Sequence, residues 1–137
     1  MSQKFTLDLK VRDYECDLQG VVNNAVYQNY LEHARHEFLL SRGIDFAALA
    51  RDGINLVVIR AELDYRSPLR SGDHFRITTA VEQISPVRFA FHQTILRLPE
   101  EQPVVTARIL GTALNRRGRP QLPAGFADRL QPGELAS

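Results

Sequence analysis

The sequence predicts an α+β domain in which an antiparallel five-stranded sheet wraps around one long helix. Three features support this: segments in which apolar and polar residues alternate, one long amphipathic segment with helical spacing, and short connections between the last strands. Connections of this length cannot hold crossover helices, so the strands that they join must be antiparallel. The chain has 137 residues. We expect one domain over residues 1–137, with its core at about 5–117 and an irregular tail at 118–137 that contains one turn at 126–130.

The first element is a strand that begins near Phe5. Apolar residues occupy every second position from there to Val11, and polar residues fill the positions between them. This alternation is typical of a strand with one buried face.

The second element is the long helix, which is predicted over 25–42. Its apolar residues recur at the spacing of one helical face, namely Tyr27, Tyr30, Leu31, Ala34 and Phe38. Asn23 or Asn24 can cap its first turn, and Gly43 can end it in a left-handed conformation.

A short helix and four strands follow. The helix is predicted at 45–53. The strands are predicted around the alternating segments 57–65, 75–81, 89–95 and 105–113. Because the apolar stripe of a single long helix must be buried against another layer, we expect the sheet to wrap around that helix.

The bulk composition argues against several classes of function. The net charge is +1, which gives no general attraction to nucleic acid, and the four histidines lack metal-ligand spacing. Cys16 is the one cysteine, so the chain forms no internal disulfide, as expected in a reducing compartment. No apolar run approaches the roughly 20 residues of a membrane span, and the N-terminal residues lack the apolar core of a signal peptide. We therefore expect a cytoplasmic protein with no nucleic-acid partner, no membrane segment, no metal and no cofactor.

The segment from Asp17 to Asn24 carries the chemistry. It places a carboxylate shortly before a helix start, and Gly20 lies between them, where the backbone can fold back. A helix N-terminus presents free N–H groups and the positive end of the helix dipole. A thioester carbonyl fits between a carboxylate and such an end. Alternatively, Asp17 only caps its own turn and the asparagines only cap the helix.

The order and spacing of these residues resemble the hot-dog-fold thioesterases of the 4-hydroxybenzoyl-CoA thioesterase branch. The resemblance covers about residues 5–117, and the matching pieces are residues 11–22, Tyr27, Tyr30, Ala34-Arg35 and the turn at 67–73. Three shorter pieces are similar to the plant plastid acyl-lipid thioesterases, which release fatty or β-keto acids from acyl carrier protein. They are residues 11–15, 20–27 and 35–39.

The resemblance implies a hydrolase that cleaves acyl-CoA or acyl carrier protein thioesters. Asp17 would be the nucleophile or the general base, a choice that the sequence leaves open. The backbone N–H of Asn24 would donate to the oxyanion. Many bacterial members carry histidine where this chain has Asn24, so a second imidazole base is not expected here.

The resemblance also implies a wider set of substrate-binding residues and an oligomer. The expected substrate-binding residues are Gly20, Val22, Asn23, Tyr27, Arg35, Ile59, Arg88, Arg116 and Arg117. The family places each active site at a dimer interface and often pairs dimers, so we expect a homodimer and, from it, a homotetramer. The strand that begins at Val57 is apolar on both faces, as a strand covered by a partner would be.

Two groups of these cations also allow a purely structural interpretation. Arg35 either orients the site or forms an ion pair with Glu62 or Asp64. The second group is the basic turn formed by Arg116, Arg117 and neighbouring Arg119. This turn is either simply solvated, or it binds the phosphates of coenzyme A or the acidic surface of a carrier protein.

Two other functions and one other nucleophile remain as alternatives. A hydroxyacyl dehydratase would need a histidine paired with a carboxylate, and no histidine follows Asp17 at the helix start. A non-catalytic acyl-thioester-binding regulator would be expected to lack the carboxylate and to carry a DNA-binding segment. A cysteine nucleophile would have to be Cys16, although a single cysteine is more often a small buried apolar residue.

Overall fold

The computed structural model describes residues 4–130 as one five-stranded sheet and three helices. The strands are β1 (Phe5–Lys10), β2 (Asn55–Tyr65), β3 (His74–Ser85), β4 (Arg88–Arg97) and β5 (Gln102–Leu114). The helices are α1 (Asn24–Ser41), α2 (Phe46–Arg51) and α3 (Phe126–Arg129), and a 3-10 turn spans Asp13–Glu15. The strand order is β1-β3-β4-β5-β2, and every neighbouring pair is antiparallel. The predicted α+β fold is confirmed.

Local signals define both ends of α1. The Asn23 side chain accepts the N–H of Ala25 at 2.9 Å, which satisfies one of the free donors of the first turn. Gly43 has φ +77° just beyond the end, where a glycine adopts the left-handed conformation without strain. The predicted helix, 25–42, is therefore correct to within one residue at each end.

The buried face of α1 divides the core into two clusters. The first half of the helix packs through Tyr30 and Leu31 against Phe75 and Ile77 of β3. The second half packs through Phe38 and its neighbours against an aromatic group from β4 and the C-terminal segment. Each cluster covers one end of the sheet, so α1 holds the whole layer together.

The segment after β5 contains one short helix, α3, at the place where one turn is expected, Phe126 to Leu130. Phe126 is 2% exposed, and it packs with Leu130 and Phe89 in the second core cluster. The alternation of strands and helices cannot reveal this contact, because it depends on a short helix that docks far along the chain. The expectations for residues 131–137 and for the first three residues fall outside the part of the chain that the structure describes.

The edge strand β2 departs from the predicted alternation. Val58 pairs with Gly111 and Arg60 pairs with Leu110, so Ile59 is the extra residue of a β-bulge. The strict alternation predicted for 57–65 is therefore interrupted at Ile59, because a bulge shifts the alternation by one residue.

Gly111 allows close packing within the sheet. A Cβ atom built on it would lie 2.7 Å from the ring of Phe89, its cross-strand neighbour. The aromatic ring of the adjacent strand therefore occupies the space that the missing side chain leaves. Across residues 4–130, no helix is long and apolar enough to span a membrane.

Candidate active site

A short hairpin brings Asp17 next to the start of α1. The N–H of Asp17 donates to the carbonyl of Val21 at 2.8 Å, and Cys16 forms a bridge with Val22. Gly20 makes the turn with φ +78° and donates its N–H to the Asp17 carbonyl at 3.0 Å. The fold-back predicted at Gly20 is thus present.

The carboxylate of Asp17 lies on the surface and also stabilises its own turn. Its Oδ1 accepts the N–H of Gln19 at 2.8 Å and that of Val21 at 3.4 Å. Both of these bonds end on Oδ1. Within residues 4–130, no group donates a hydrogen bond to Oδ2. The capping interpretation is therefore correct for one oxygen, and the other oxygen is available for chemistry.

The first N–H of α1 is available as well. Asn23 is the cap residue, and its own N–H donates to the carbonyl of Glu15 at 3.1 Å. The next two donors of the helix, from Ala25 and Val26, bind the side chain and the carbonyl of Asn23. The N–H of Asn24 has no acceptor within residues 4–130, as expected for the first helical residue.

A cleft of about 290 Å³ opens beside Asn24. Its lining is formed by Val21, Val22, Asn24, Tyr27, Tyr65, Arg66, Ser67 and Pro68. Tyr27 is almost fully buried, and its hydroxyl accepts the N–H of Leu69 at 3.0 Å. The N–H of Val22 donates to the carbonyl of the same Leu69 at 2.9 Å. Tyr27 and Val22 therefore fix the wall of this cleft through the 66–73 loop.

Glu15 joins the hairpin to the helix, and no sequence pattern predicts this contact. Its carboxylate accepts the hydroxyl of Tyr30 at 2.7 Å and the N–H of Arg12 at 2.8 Å. The bond to the Arg12 N–H is the half of a capping box that a glutamate three residues after the cap supplies. The reciprocal half is missing, because an arginine side chain cannot accept a hydrogen bond.

The thiol of Cys16 is poorly suited to be a nucleophile. Burial raises its pKa, and the negative charges of Asp13 and Asp17 raise it further. A raised pKa lowers the fraction of reactive thiolate at neutral pH.

Arg35 forms neither of the ion pairs that were considered. Its guanidinium donates to the side-chain oxygen of Gln93 at 3.1 Å, whereas Glu62 lies near Arg60 and Arg108. Burial lowers the pKa of Arg35. The helix directs this side chain towards β4 in the centre of the sheet, so the carboxylates of the edge strand are not its partners.

Arg35 lines an apolar cavity of about 300 Å³ near the C-terminal end of α1. The cavity is bounded by α1, α2 and the sheet, and its apolar lining includes Leu39, Phe46, Leu56, Val57, Phe89, Phe91 and Ile109. Ile59, expected to bind substrate, is 44% exposed and is absent from this lining because the bulge displaces it. Sequence patterns cannot indicate such a cavity, since its walls come from five separate elements.

Three predicted cations lie at this same end of the molecule. Arg88 begins β4 opposite Thr112, and Arg116 and Arg117 lie in the turn that follows β5. Arg116 donates to the carbonyl of Asp52 at 3.4 Å, beside the end of α2. The structure thus groups these cations together, but it separates them from Asn24 by the length of α1. Eighteen residues correspond to about 27 Å at 1.5 Å per residue.

Within residues 4–130, no group of three or more His, Cys, Asp and Glu side chains is arranged to hold a metal ion. The candidate site consists of the Asp17 carboxylate, the N-terminus of α1 and the cleft beside Asn24, whose lining includes Val21 of the hairpin but not Asp17.

The chain is similar to known thioesterases over most of its length. Residues 11–130 match the family model described as the thioesterase-like superfamily. The chain is 43% identical over 120 residues to the acyl-acyl carrier protein thioesterase ATL3, chloroplastic, of Arabidopsis thaliana, a match that covers 88% of this chain and 63% of that protein. It is 34% identical over 101 residues to the long-chain acyl-CoA thioesterase FadM of Escherichia coli, covering 74% and 76% of the two chains.

The fold is also similar to that of a solved structure. A 1,4-dihydroxy-2-naphthoyl-CoA thioesterase from Synechocystis superposes with a TM-score of 0.87 at 20% identity, covering 93% of this chain and 96% of that chain. At this identity the likeness concerns the fold. The chain spans about three fifths of the length of the plant relatives that it matches.

Proposed function

This chain belongs to the thioesterase-like superfamily, and on that basis we propose that it hydrolyses an acyl thioester to the free acid and a thiol. The observation that carries the proposal is the pairing of Asp17 with the start of α1 across one hairpin. A carboxylate oxygen without a donor lies on one strand, and the acceptor-free N–H of Asn24 follows the other. The cleft beside Asn24 is where the thioester carbonyl would lie.

The reaction can follow either of two routes at this site. In the first, Oδ2 of Asp17 attacks the carbonyl carbon, the thiolate leaves, and water cleaves the resulting mixed anhydride. In the second, the carboxylate takes a proton from a water molecule that attacks the carbonyl directly. In both routes negative charge develops on the carbonyl oxygen, and the N–H of Asn24 stabilises it.

A panel of substrates tests this function together with the variant Asp17→Asn. The panel sets benzoyl-type and short, medium and long acyl-CoAs beside thioesters of acyl carrier protein. The asparagine oxygen can still accept the N–H groups of Gln19 and Val21, so the hairpin is retained and only the basic oxygen is lost. We expect kcat to fall on the order of a hundredfold or more on the best substrate. A folded Asp17→Asn protein that works at the wild-type rate would contradict the assignment, and a wild-type protein inactive on every thioester would contradict the function.

We further propose that two copies pair through β2. This strand is the edge of the sheet, and it exposes Val58, Ile59 and Tyr65. An antiparallel pair of β2 strands centred on Ala61 would place Arg60 of one copy opposite Glu62 of the other, twice. This charge complementarity and the exposed apolar residues support a second copy of the chain as the partner.

Such a pairing would complete the site. Asn24 and its cleft lie beside Tyr65 at the end of β2, whereas the apolar cavity lies beside Val57 at its start. An antiparallel pair of β2 strands brings the end of one strand next to the start of the other. The apolar cavity of one protomer would then receive the acyl group whose thioester lies at the other protomer's Asn24.

The basic end of each protomer, which carries Arg88, Arg116 and Arg117, would bind the carrier group of the substrate across the same interface. Arg88, Arg116 and Arg117 of one protomer would approach the site of the other, where the phosphates of coenzyme A or the acidic surface of a carrier protein would bind. The pairing of dimers into a tetramer, the single-domain organisation over residues 1–137 and the cytoplasmic localisation remain predictions.

A further inference from the structure

Asp17 lies on one strand of the hairpin, Asn24 follows the other strand, and Glu15 contacts both the hairpin and α1. Its carbonyl accepts the N–H of Asn23 at 3.1 Å, directly before Asn24. Its carboxylate Oε1 accepts the hydroxyl of Tyr30 at 2.7 Å. Asp17 follows two residues after Glu15 in the chain. Glu15 therefore connects the chain segment that carries Asp17 to the start of α1 and to Tyr30 in the middle of this helix.

Tyr30 provides a fixed point for this connection. It is 6% exposed, and its ring packs against those of Phe75 and Tyr27 at centroid distances of 4.6 and 6.3 Å. Burial, followed by the hydrogen bond to Glu15, raises the pKa of Tyr30. Its hydroxyl is therefore protonated at neutral pH and remains a donor.

We propose that Glu15 is a positioning residue that sets the distance between the Asp17 carboxylate and the Asn24 N–H by anchoring the hairpin to Tyr30. The inference rests on the proposed thioesterase function. Glu15 does not act on the substrate itself, because its side chain lines a separate cleft together with Leu9, Asn29 and Tyr30, and not the cleft beside Asn24. Its effect is instead on the relative placement of two groups that must both reach one carbonyl.

Glu15→Gln keeps the size of the side chain and one acceptor oxygen but removes its charge. A hydrogen bond to an ionised acceptor is roughly twice as strong as a neutral one, so the connection to Tyr30 weakens. Because a misplacement of about 1 Å can cost on the order of a hundredfold, we expect kcat to fall about tenfold. We expect KM to change by less than about twofold, since no substrate contact is removed.

The matched control is Glu82→Gln. The carboxylate of Glu82 also accepts a side-chain bond at 2.7 Å, from His92, but it lies on β3 opposite Ala90, and within residues 4–130 it forms no hydrogen bond with the hairpin. Its kcat and KM should remain those of the wild type.

A second variant, Tyr30→Phe, tests the same connection from the helix. It should lower kcat by about the same factor, and the double variant with Glu15→Gln should be no slower than either single variant, because both remove one interaction. The acid limb of the pH–kcat profile should persist in Glu15→Gln, whereas it would disappear if Glu15 were the base.

Amide hydrogen exchange at Asn23 gives a result that does not depend on activity. Exchange of this N–H should be faster in Glu15→Gln and Tyr30→Phe than in Glu82→Gln. If the wild type hydrolyses thioesters while Glu15→Gln keeps its kcat, or if exchange at Asn23 is unchanged, the positioning role is refuted and the proposed function stands. If the wild type hydrolyses none of the thioesters, the function fails, and exchange at Asn23 still decides whether Glu15 holds the hairpin.

Discussion

The substitution Asn24→Pro removes one backbone N–H from the candidate site and changes little else. Asn24 is the first helical residue of α1, a position where proline is favoured because the N–H has no acceptor in the helix. Asn23 before it has φ −65° and ψ 142°, which is compatible with a following proline. The cap from Asn23 to Ala25 is retained. The melting temperature should therefore change by no more than a few degrees.

The expected loss of activity is large. A single oxyanion donor contributes about 2.7–4 kcal/mol to the transition state, which corresponds to roughly a hundredfold to a thousandfold in kcat. KM should change little, because the donor acts mainly on charge that develops during the reaction. The assay is steady-state hydrolysis of the best thioester in the panel, followed by release of the free thiol.

Asn24→Ala is the control for this experiment, because it removes the side chain and keeps the N–H. Its kcat should remain within about threefold of the wild type. If the proline variant is folded and as fast as the alanine variant, the first N–H of α1 is not the oxyanion donor. That outcome would leave the assignment of Asp17 untouched.

Three further predictions concern the thiol, the interface and the basic end. Cys16→Ser should keep wild-type kcat, since burial already disfavours the thiolate; a folded but inactive variant would restore the thiol mechanism. Ile59→Lys should produce a slower-sedimenting, inactive protomer at micromolar concentration. The control is Ile84→Lys on β3, where the isoleucine is equally 44% exposed, and it should sediment and react as the wild type. A fully active monomer of 15.5 kDa would contradict the shared site. Neutralising Arg116 and Arg117 together should raise KM for the natural carrier, leave kcat nearly unchanged and flatten the salt dependence of kcat/KM; a fall in kcat alone would place the carrier elsewhere.

The sequence predicts the regular parts of the fold well because their signals are local. The cap at Asn23, the apolar face of α1 and Gly43 all lie within one segment, so both ends of the helix could be predicted. The strands follow from alternation in the same way. At Ile59 the alternation no longer predicts which residues share a face of β2, because the bulge adds one residue and no local pattern indicates a bulge there.

The features that could not be predicted depend on contacts between segments that are distant in the sequence. Arg35 lies beside Gln93 rather than an edge-strand carboxylate, and Phe126 returns to the core from beyond the last strand. In the site, the turn at Gly20 could be predicted, and so could the proximity of Asp17 to the helix. The bond between Glu15 and Tyr30 could not, since helical spacing assigns Tyr30 to the core and says nothing of its hydroxyl.

The close fit of Phe89 over Gly111 has a consequence for how this protein can diverge. A methyl group at 111 would overlap the aromatic ring, so a larger residue there requires a smaller one at 89. We expect the two positions to change together among related sequences. Because both residues also line the apolar cavity, each such exchange would move volume from one wall to the other. Evolution could thereby alter the depth of the cavity, and with it the preferred acyl group, without disturbing the hairpin that carries Asp17.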